Sequence, residues 1–297
     1  MKRLLIFLTT FSASLGFSQT IKGTIRDSLT QKALEYSNVV LMNGGGTYAN
    51  DKGEFEIEIK NSIYDTLKIS TLGYKSKKIL LNKYKGKVII NLDVNLEPNV
   101  EELDEVILTS KKIKYKDKET LGEDRDGNIG MSSLIGYETC ILIENPRKEN
   151  GKVKRVYIDL KKRKNANYIA TFNIKFYEYN IKEDKPGKEL YNKNIYVKPK
   201  NQKYRLWVDV EDLDIDFLEN GICVGVEMVN TYGNVEKYAY FGPMFRYTLS
   251  SKNKSITWSN YHNTGWKGVS NEHKRYKKFN TGTSNPMIGL EVLFPKR

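Results

Sequence analysis

The sequence predicts an all-β protein built as two β-sandwiches in series, and three observations carry that prediction. Apolar and polar residues alternate over short runs: in GEFEIEIK, Phe55, Ile57 and Ile59 share one face while Glu54, Glu56 and Glu58 share the other. Turn chemistry interrupts these runs at short intervals, at Gly44–Gly46 and again at Asn50-Asp51-Lys52-Gly53. The 20 tyrosines suit half-buried strands.

The chain opens on MKRLLIFLTTFSASLGFSQ. Lys2 and Arg3 precede an apolar run from Leu4 to about Leu15, and Gly16 and Ser18 fit the small-residue positions of a signal-peptidase site. Residues 1–18 are therefore expected to be a signal peptide, leaving Gln19 as the mature N-terminus. The run is shorter than the roughly 20 residues a helix needs to cross a bilayer core of about 30 Å. No cysteine follows the cut, so the usual lipid-anchoring site of bacterial lipoproteins is missing. The expected location is outside the cytoplasm, periplasmic or associated with the outer membrane or cell surface, with any membrane attachment peripheral.

Residues 19–98 are expected to form the first domain. KVIINLDVNL alternates as cleanly as GEFEIEIK, with Val88, Ile90, Leu92, Val94 and Leu96 on one face. DTLKISTLGYKSKKILL adds two short strands broken at Gly73. About seven short strands without helical periodicity predict a sandwich. Asp51 and Gly53 are expected to close a tight hairpin, the Asp accepting local N–H bonds and the Gly taking positive φ. Phe55 then enters the core, and Tyr74 covers the sandwich end.

Several motifs in order resemble one family. Gly23-Thr24-Ile25-Arg26-Asp27, Asn38-Val39-Val40, Asp51-Lys52-Gly53-Glu54-Phe55 and Ser70-Thr71-Leu72-Gly73-Tyr74 are similar to the pattern of the carboxypeptidase regulatory-like domain, with Tyr48 replacing a threonine. The resemblance implies a transthyretin-like (Ig-like) sandwich with no catalytic constellation. In TonB-dependent outer-membrane transporters of the starch-utilisation type, such a domain leads through an L-x-E-V-V-V-like segment into the plug. Leu103-Asp104-Glu105-Val106-Ile107-Leu108, within the acidic stretch NVEELDEVIL, resembles that segment. The 189 residues after Leu108 are too few for a plug and a 22-stranded barrel.

Residues 99–133, with the polar run SKKIKYKDKETLGEDRDGNIG, have linker composition. Residues 134–297 return to period-two runs such as GICVGVEMVN, and about eight or nine strands predict a second, jelly-roll-like sandwich. Residues 111–297 hold 35 basic against 23 acidic residues, nearly all of the formal +13. Such a surface suits acidic polysaccharide, lipid headgroups or a plain solvated face, and export argues against nucleic acid. Cys140 and Cys223 lie in strand-like apolar runs. In an oxidising compartment they are a candidate disulfide, with two buried free thiols as the alternative.

Candidate binding residues cluster in ITWSNYHNTGWKG. Trp258, Tyr261 and Trp266, among Asn260, His262 and Asn263, offer the aromatic faces and amides of a sugar platform, with Lys267 beside them. Trp258, in an alternating strand, fits a core position better, whereas Trp266 between glycines suits exposure. Lys274, Arg275, Lys277 and Lys278 would suit an anionic ligand. Asp209, Glu211, Asp212, Asp214 and Asp216 are the candidate carboxylates of a glycosidase or calcium site, and equally of a solvated loop. His262 and His273 have no partners at metal-site spacing, so no metal or cofactor is expected. The expected function is non-enzymatic binding or cell-envelope assembly, with a polysaccharide or an outer-membrane or cell-surface protein as partner. The alternative is a carbohydrate-active hydrolase using the 209–216 acids.

Overall fold

The computed structural model describes residues 19–42, 45–59, 66–99, 114–124, 129–132, 134–229, 231–232, 240–248, 255–269 and 284–296. The expected signal peptide, the acids Glu101 to Glu105, His273 and the basic run from Lys274 to Lys278 lie outside them.

The first sandwich comprises β1 (Gln19–Asp27), β2 (Asn38–Leu41), β3 (Gly46–Tyr48), β4 (Glu54–Ile59), β5 (Thr66–Ser70), β6 (Lys77–Leu80) and β7 (Ile89–Leu96). One sheet runs β4-β1-β7 with β7 parallel to β1; the other runs β3-β2-β5-β6. Period-two alternation sends Phe55, Ile57 and Ile59 of β4 and Ile90, Leu92, Val94 and Leu96 of β7 into one core, against Val39, Leu67 and Ile69 of the other sheet. The hairpin before β4 departs from expectation in its acceptor. Asn50 Oδ1, not Asp51, takes the N–H groups of Lys52 and Glu54, both at 2.9 Å, and Gly53 has φ of 73°. Tyr74 closes the end of the sandwich by donating its hydroxyl to Asp27 Oδ2 at 2.8 Å.

The second unit is a larger sandwich, comprising β8 (Tyr115–Gly122), β9 (Ile129–Met131), β10 (Tyr137–Ile143), β11 (Gly151–Lys161), β12 (Tyr168–Ile169), β13 (Thr171–Asn180), β14 (Lys185–Glu189), β15 (Ile195–Val197), β16 (Tyr204–Asp209), β17 (Asp216–Phe217), β18 (Ile222–Val229), β19 (Phe241–Gly242), β20 (Met244–Tyr247), β21 (Thr257–Tyr261), β22 (Trp266–Gly268) and β23 (Ile288–Pro295). One seven-stranded sheet follows β14-β13-β18-β10-β21-β22, with β15 also on β13. The other follows β8-β23-β11-β20-β9, with β16 and β17 on β11. Val224 and Ile141 of the first meet Val156 and Leu290 of the second in one core. The strand number exceeds the expected eight or nine because β9, β12, β15, β17, β19 and β22 have only two or three residues. Pieces that short are below the length at which alternation can be read.

One expectation needs correction. The segment 99–133 is not linker throughout: β8 pairs antiparallel with β23 from Gly122↔Gly289 to Tyr115↔Pro295, and β9 pairs with β20. KYKDKETLG lacks apolar alternation because β8 is an edge strand, held by ladder hydrogen bonds and kept polar where it meets water. Of the two readings left open for the cysteine pair, the structure has the buried free thiols. Cys140 lies opposite Gly225 and Cys223 opposite Leu142, so the pair is diagonal across β10 and β18. Diagonal Cα atoms are about 7–8 Å apart, at the edge of what a disulfide spans without backbone movement.

Candidate functional site

β18 reads Ile-Cys-Val-Gly-Val-Glu-Met-Val and is buried at every position, although only one of its faces meets the core of its own sandwich. β2, Asn-Val-Val-Leu, is likewise buried on both faces. The reason is that the two sandwiches stack, the β3-β2-β5-β6 sheet lying on the β13-β18-β10-β21 sheet. What they bury between them is largely polar.

The strand register puts Glu138, Lys175, Tyr177, Glu227 and Asn260 on one face: Glu138 is opposite both Glu227 and Asn260, and Lys175 is opposite Gly225. Lys175 Nζ lies 2.9 Å from Glu227 Oε2 and 3.4 Å from Glu138 Oε2, with all three side chains under 5% exposed. Tyr177 donates its hydroxyl to Glu138 Oε1 at 2.9 Å. The first sandwich completes the network through Tyr48, whose hydroxyl donates to Glu227 Oε1 at 2.8 Å. His262 stacks at 4.8 Å on Tyr48, and its Nδ1 lies 2.6 Å from Asn38 Oδ1. An amide oxygen can only accept, so Nδ1 carries the proton of the neutral ring. Gly225 makes room for Glu138; a Cβ there would sit 1.9 Å from Oε1.

Electrostatics follow from burial and from two acids sharing one base. Burial raises the Glu138 carboxyl to about 7, and Glu227 opposite pushes the same way while Lys175 opposes. Burial would raise Glu227 too, but Lys175 and the Tyr48 hydroxyl outweigh it and its pKa is lowered. Burial holds His262 down to about 4. The stable arrangement near neutrality is thus a Lys175–Glu227 ion pair, a titrating Glu138 and an uncharged His262.

Beside this network the sandwiches leave a cleft of about 1000 Å³. Ser70, Thr71, Asn192, Asn260, Asn263 and Trp266 line it. Trp266 packs edge-on against Tyr177 at 5.3 Å, so the buried network supports the ring from below. Asn260 is held by accepting the Gly265 N–H at 3.1 Å. Lys68 bridges from the first sandwich by donating to the Asn263 carbonyl at 2.9 Å. The Ser70 hydroxyl is buried yet has no hydrogen-bond partner among the described residues. Buried hydroxyls are normally satisfied; this oxygen is closed to solvent and lies behind the cleft wall rather than on it.

Of the candidate platform residues, the structure brings Trp266 to the cleft with Asn260 and Asn263. Trp258 is buried in the second core, its indole N–H donating to the Asp184 carbonyl at 2.9 Å. Tyr261 is half-buried between Tyr137 and His262. Lys267, opposite Ser259, is exposed and does not line the cleft. The acidic cluster is a salt-bridged surface: Asp214 and Asp216 each lie 2.8 Å from Lys152, Glu211 lies 2.9 Å from Lys154, and Asp209 caps the Glu211 N–H. Among the described residues no group of three or more His, Cys, Asp or Glu is placed to hold a metal. Sequence reasoning missed Glu138, Lys175 and Glu227. Their signal was a charge inside an apolar strand, as in TFNIKFY and CVGVEMV.

Residues 21–108 match the family model of the CarboxypepD_reg-like domain. The first sandwich is thus a domain of that type, and the second lies beyond the match. No curated protein matches the chain. Among solved structures, a DUF3823 family protein from Bacteroides uniformis is similar at 10% identity, covering 94% of this chain and 100% of that one with a TM-score of 0.17.

Proposed function

We propose that the chain is a non-enzymatic binding protein of the cell envelope whose ligand, a glycan, seats in the cleft between the sandwiches. The observation that carries this reading is the composition of the cleft wall: the Trp266 indole and the amides of Asn192, Asn260 and Asn263, with charged side chains among them. An indole face stacks on the apolar C–H side of a sugar ring. Amides and hydroxyls meet ring hydroxyls, which both donate and accept. Lys68 and Thr71 come from the first sandwich and Trp266 from the second, so a ligand there touches both domains. A regulatory-like domain at the front of the chain agrees with an exported protein serving glycan capture or an outer-membrane transporter. The hydrolase alternative has less to draw on, because Asp214 and Asp216 are both exposed and share Lys152.

The test is oligosaccharide binding by the full chain on a glycan array, followed by calorimetry on any hit. Trp266→Ala is expected to weaken binding at least tenfold, and Asp214→Asn with Asp216→Asn to leave it unchanged. Turnover of a bound oligosaccharide that disappears in the double Asn variant would replace this reading with the hydrolase one.

A further inference from the structure

Away from the cleft, two loops of the second sandwich gather unopposed positive charge. The first, Lys162-Arg163-Lys164-Asn165-Ala166-Asn167, joins β11 to β12; the second, Lys198-Pro199-Lys200-Asn201-Gln202-Lys203, joins β15 to β16. Neither contains an acid. Asn201 locks them together, its Oδ1 accepting the Arg163 N–H at 2.9 Å and its Nδ2 donating to the Arg163 carbonyl at 3.0 Å. Lys162, Lys164, Lys198, Lys200 and Lys203 are exposed, and among the described residues no carboxylate pairs with them. Elsewhere on this domain surface lysines do find acids, as Lys152 and Lys154 show. None of these loop residues lines the cleft.

Tyrosines sit within the charged array. Lys198 Nζ lies 5.0 Å from the centre of the Tyr232 ring, and the Arg163 guanidinium lies 4.5 Å from that of Tyr240. Tyr232 also leans on Tyr168 at 5.0 Å. The rings therefore brace cations rather than stand free. We propose that these two loops form a docking surface for an anionic polysaccharide bearing carboxylates, a polyuronate-like chain.

Two features favour that partner over nucleic acid and lipid. The cations are lysines apart from Arg163, whose guanidinium is engaged by Ser132, the Phe241 carbonyl and Tyr240. The array is therefore one of hydrated point charges, which match a run of anionic groups without the planar fork that fixes carboxylate or phosphate geometry. Each exposed ring already carries a cation, which leaves less aromatic face for stacking a nucleic-acid base. Among the described residues of the two loops and the rings on them, the large exposed apolar side chains are Tyr232 and Tyr240, aromatic rings rather than aliphatic groups suited to a lipid layer.

The experiment is affinity electrophoresis and calorimetry of the full chain with polygalacturonate, with dextran as the neutral control. Oligothymidylate and phosphatidylglycerol vesicles test the other polyanions. Polygalacturonate is expected to bind, to release as salt is raised, and to lose at least tenfold in affinity in Lys162→Glu/Lys164→Glu/Lys200→Glu. These positions are exposed, so the variant should melt as the wild type does. Trp266→Ala should leave polygalacturonate binding intact, which separates this surface from the cleft. Unchanged affinity in the triple variant, or tighter binding to oligothymidylate or vesicles than to polygalacturonate, would overturn the assignment.

Discussion

His262 shows how much one residue can depend on what lies around it. A Cβ on Gly46 would sit 2.8 Å from its Cδ2, and one on Gly136, at φ of 84°, would sit 2.2 Å from its Nε2. The ring fills the slot these glycines leave, neutral and bonded to Asn38. Its pKa of about 4 lies below the ordinary 6.5, so its contribution to stability is present above 6.5 and lost as pH falls toward 4. Glu138 has the opposite sign. Raised from 4.5 to about 7, it contributes fully below 4.5 and loses that contribution as pH rises through 7. Each shift corresponds to roughly 3 kcal/mol. The groups facing them are Lys175, Glu227, Tyr48 and Tyr177, and of these the lowered Glu227 loses its contribution only in acid. The wild type should therefore change little between pH 5 and pH 6.5, because the two slopes oppose. Urea midpoints measured across pH 4 to 8 check this. Relative to wild type, Glu138→Gln should gain stability as pH rises, and His262→Asn should lose it. Profiles that run parallel to wild type would refute the assignment.

Among the elements, β8 tests where the second domain begins. Its backbone ladder with β23 runs the length of the strand, and Arg147 adds ion pairs to Asp117 and Glu119 at 3.6 and 2.7 Å. A fragment of residues 134–297, the boundary suggested by composition, leaves β23 as a bare edge of apolar residues. A fragment of residues 114–297 is expected to melt higher by several degrees, at roughly 2–4 °C per kcal/mol for a domain this size. Equal melting temperatures would show β8 to be decoration. The contrast with β4 and β7 explains what could be read in the sequence. Those strands each bury one face, and their period-two pattern announced itself. β8 is polar on both faces because its contribution lies in backbone hydrogen bonds, which leave no side-chain signature. Trp266 was legible as an aromatic between glycines. Its cleft was not, because about half of the wall comes from the first sandwich, between Lys68 and Asn99, well over a hundred and fifty residues away in sequence.

At the scale of the whole molecule, the domains are joined by something other than the segment between them. The interface buries Val40, Tyr48 and Asn38 from one sandwich and Glu227 and His262 from the other. A charge buried without its partner costs more than the pair returns, so this face is poorly suited to exposure, and separation of the sandwiches would leave Glu227 without Tyr48. Docking should then couple the unfolding of the two sandwiches. The intact chain is expected to unfold in a single cooperative transition, despite having two hydrophobic cores. Gly46→Leu forces a side chain into the His262 ring without touching either core, so it should part the sandwiches and leave each folded. Its expected signs are a larger radius of gyration in small-angle scattering and two calorimetric transitions where the wild type shows one. Tyr48→Phe, which removes only the hydroxyl bonded to Glu227, should cost about 1–3 kcal/mol and leave the docked shape intact. If Gly46→Leu keeps both the wild-type radius and a single transition, the sandwiches are held by other contacts. The polar network would then be a consequence of docking rather than its cause. Cleft binding should follow the same divide, surviving Tyr48→Phe and failing in Gly46→Leu, because Thr71 and Trp266 face one ligand only while the domains stay together.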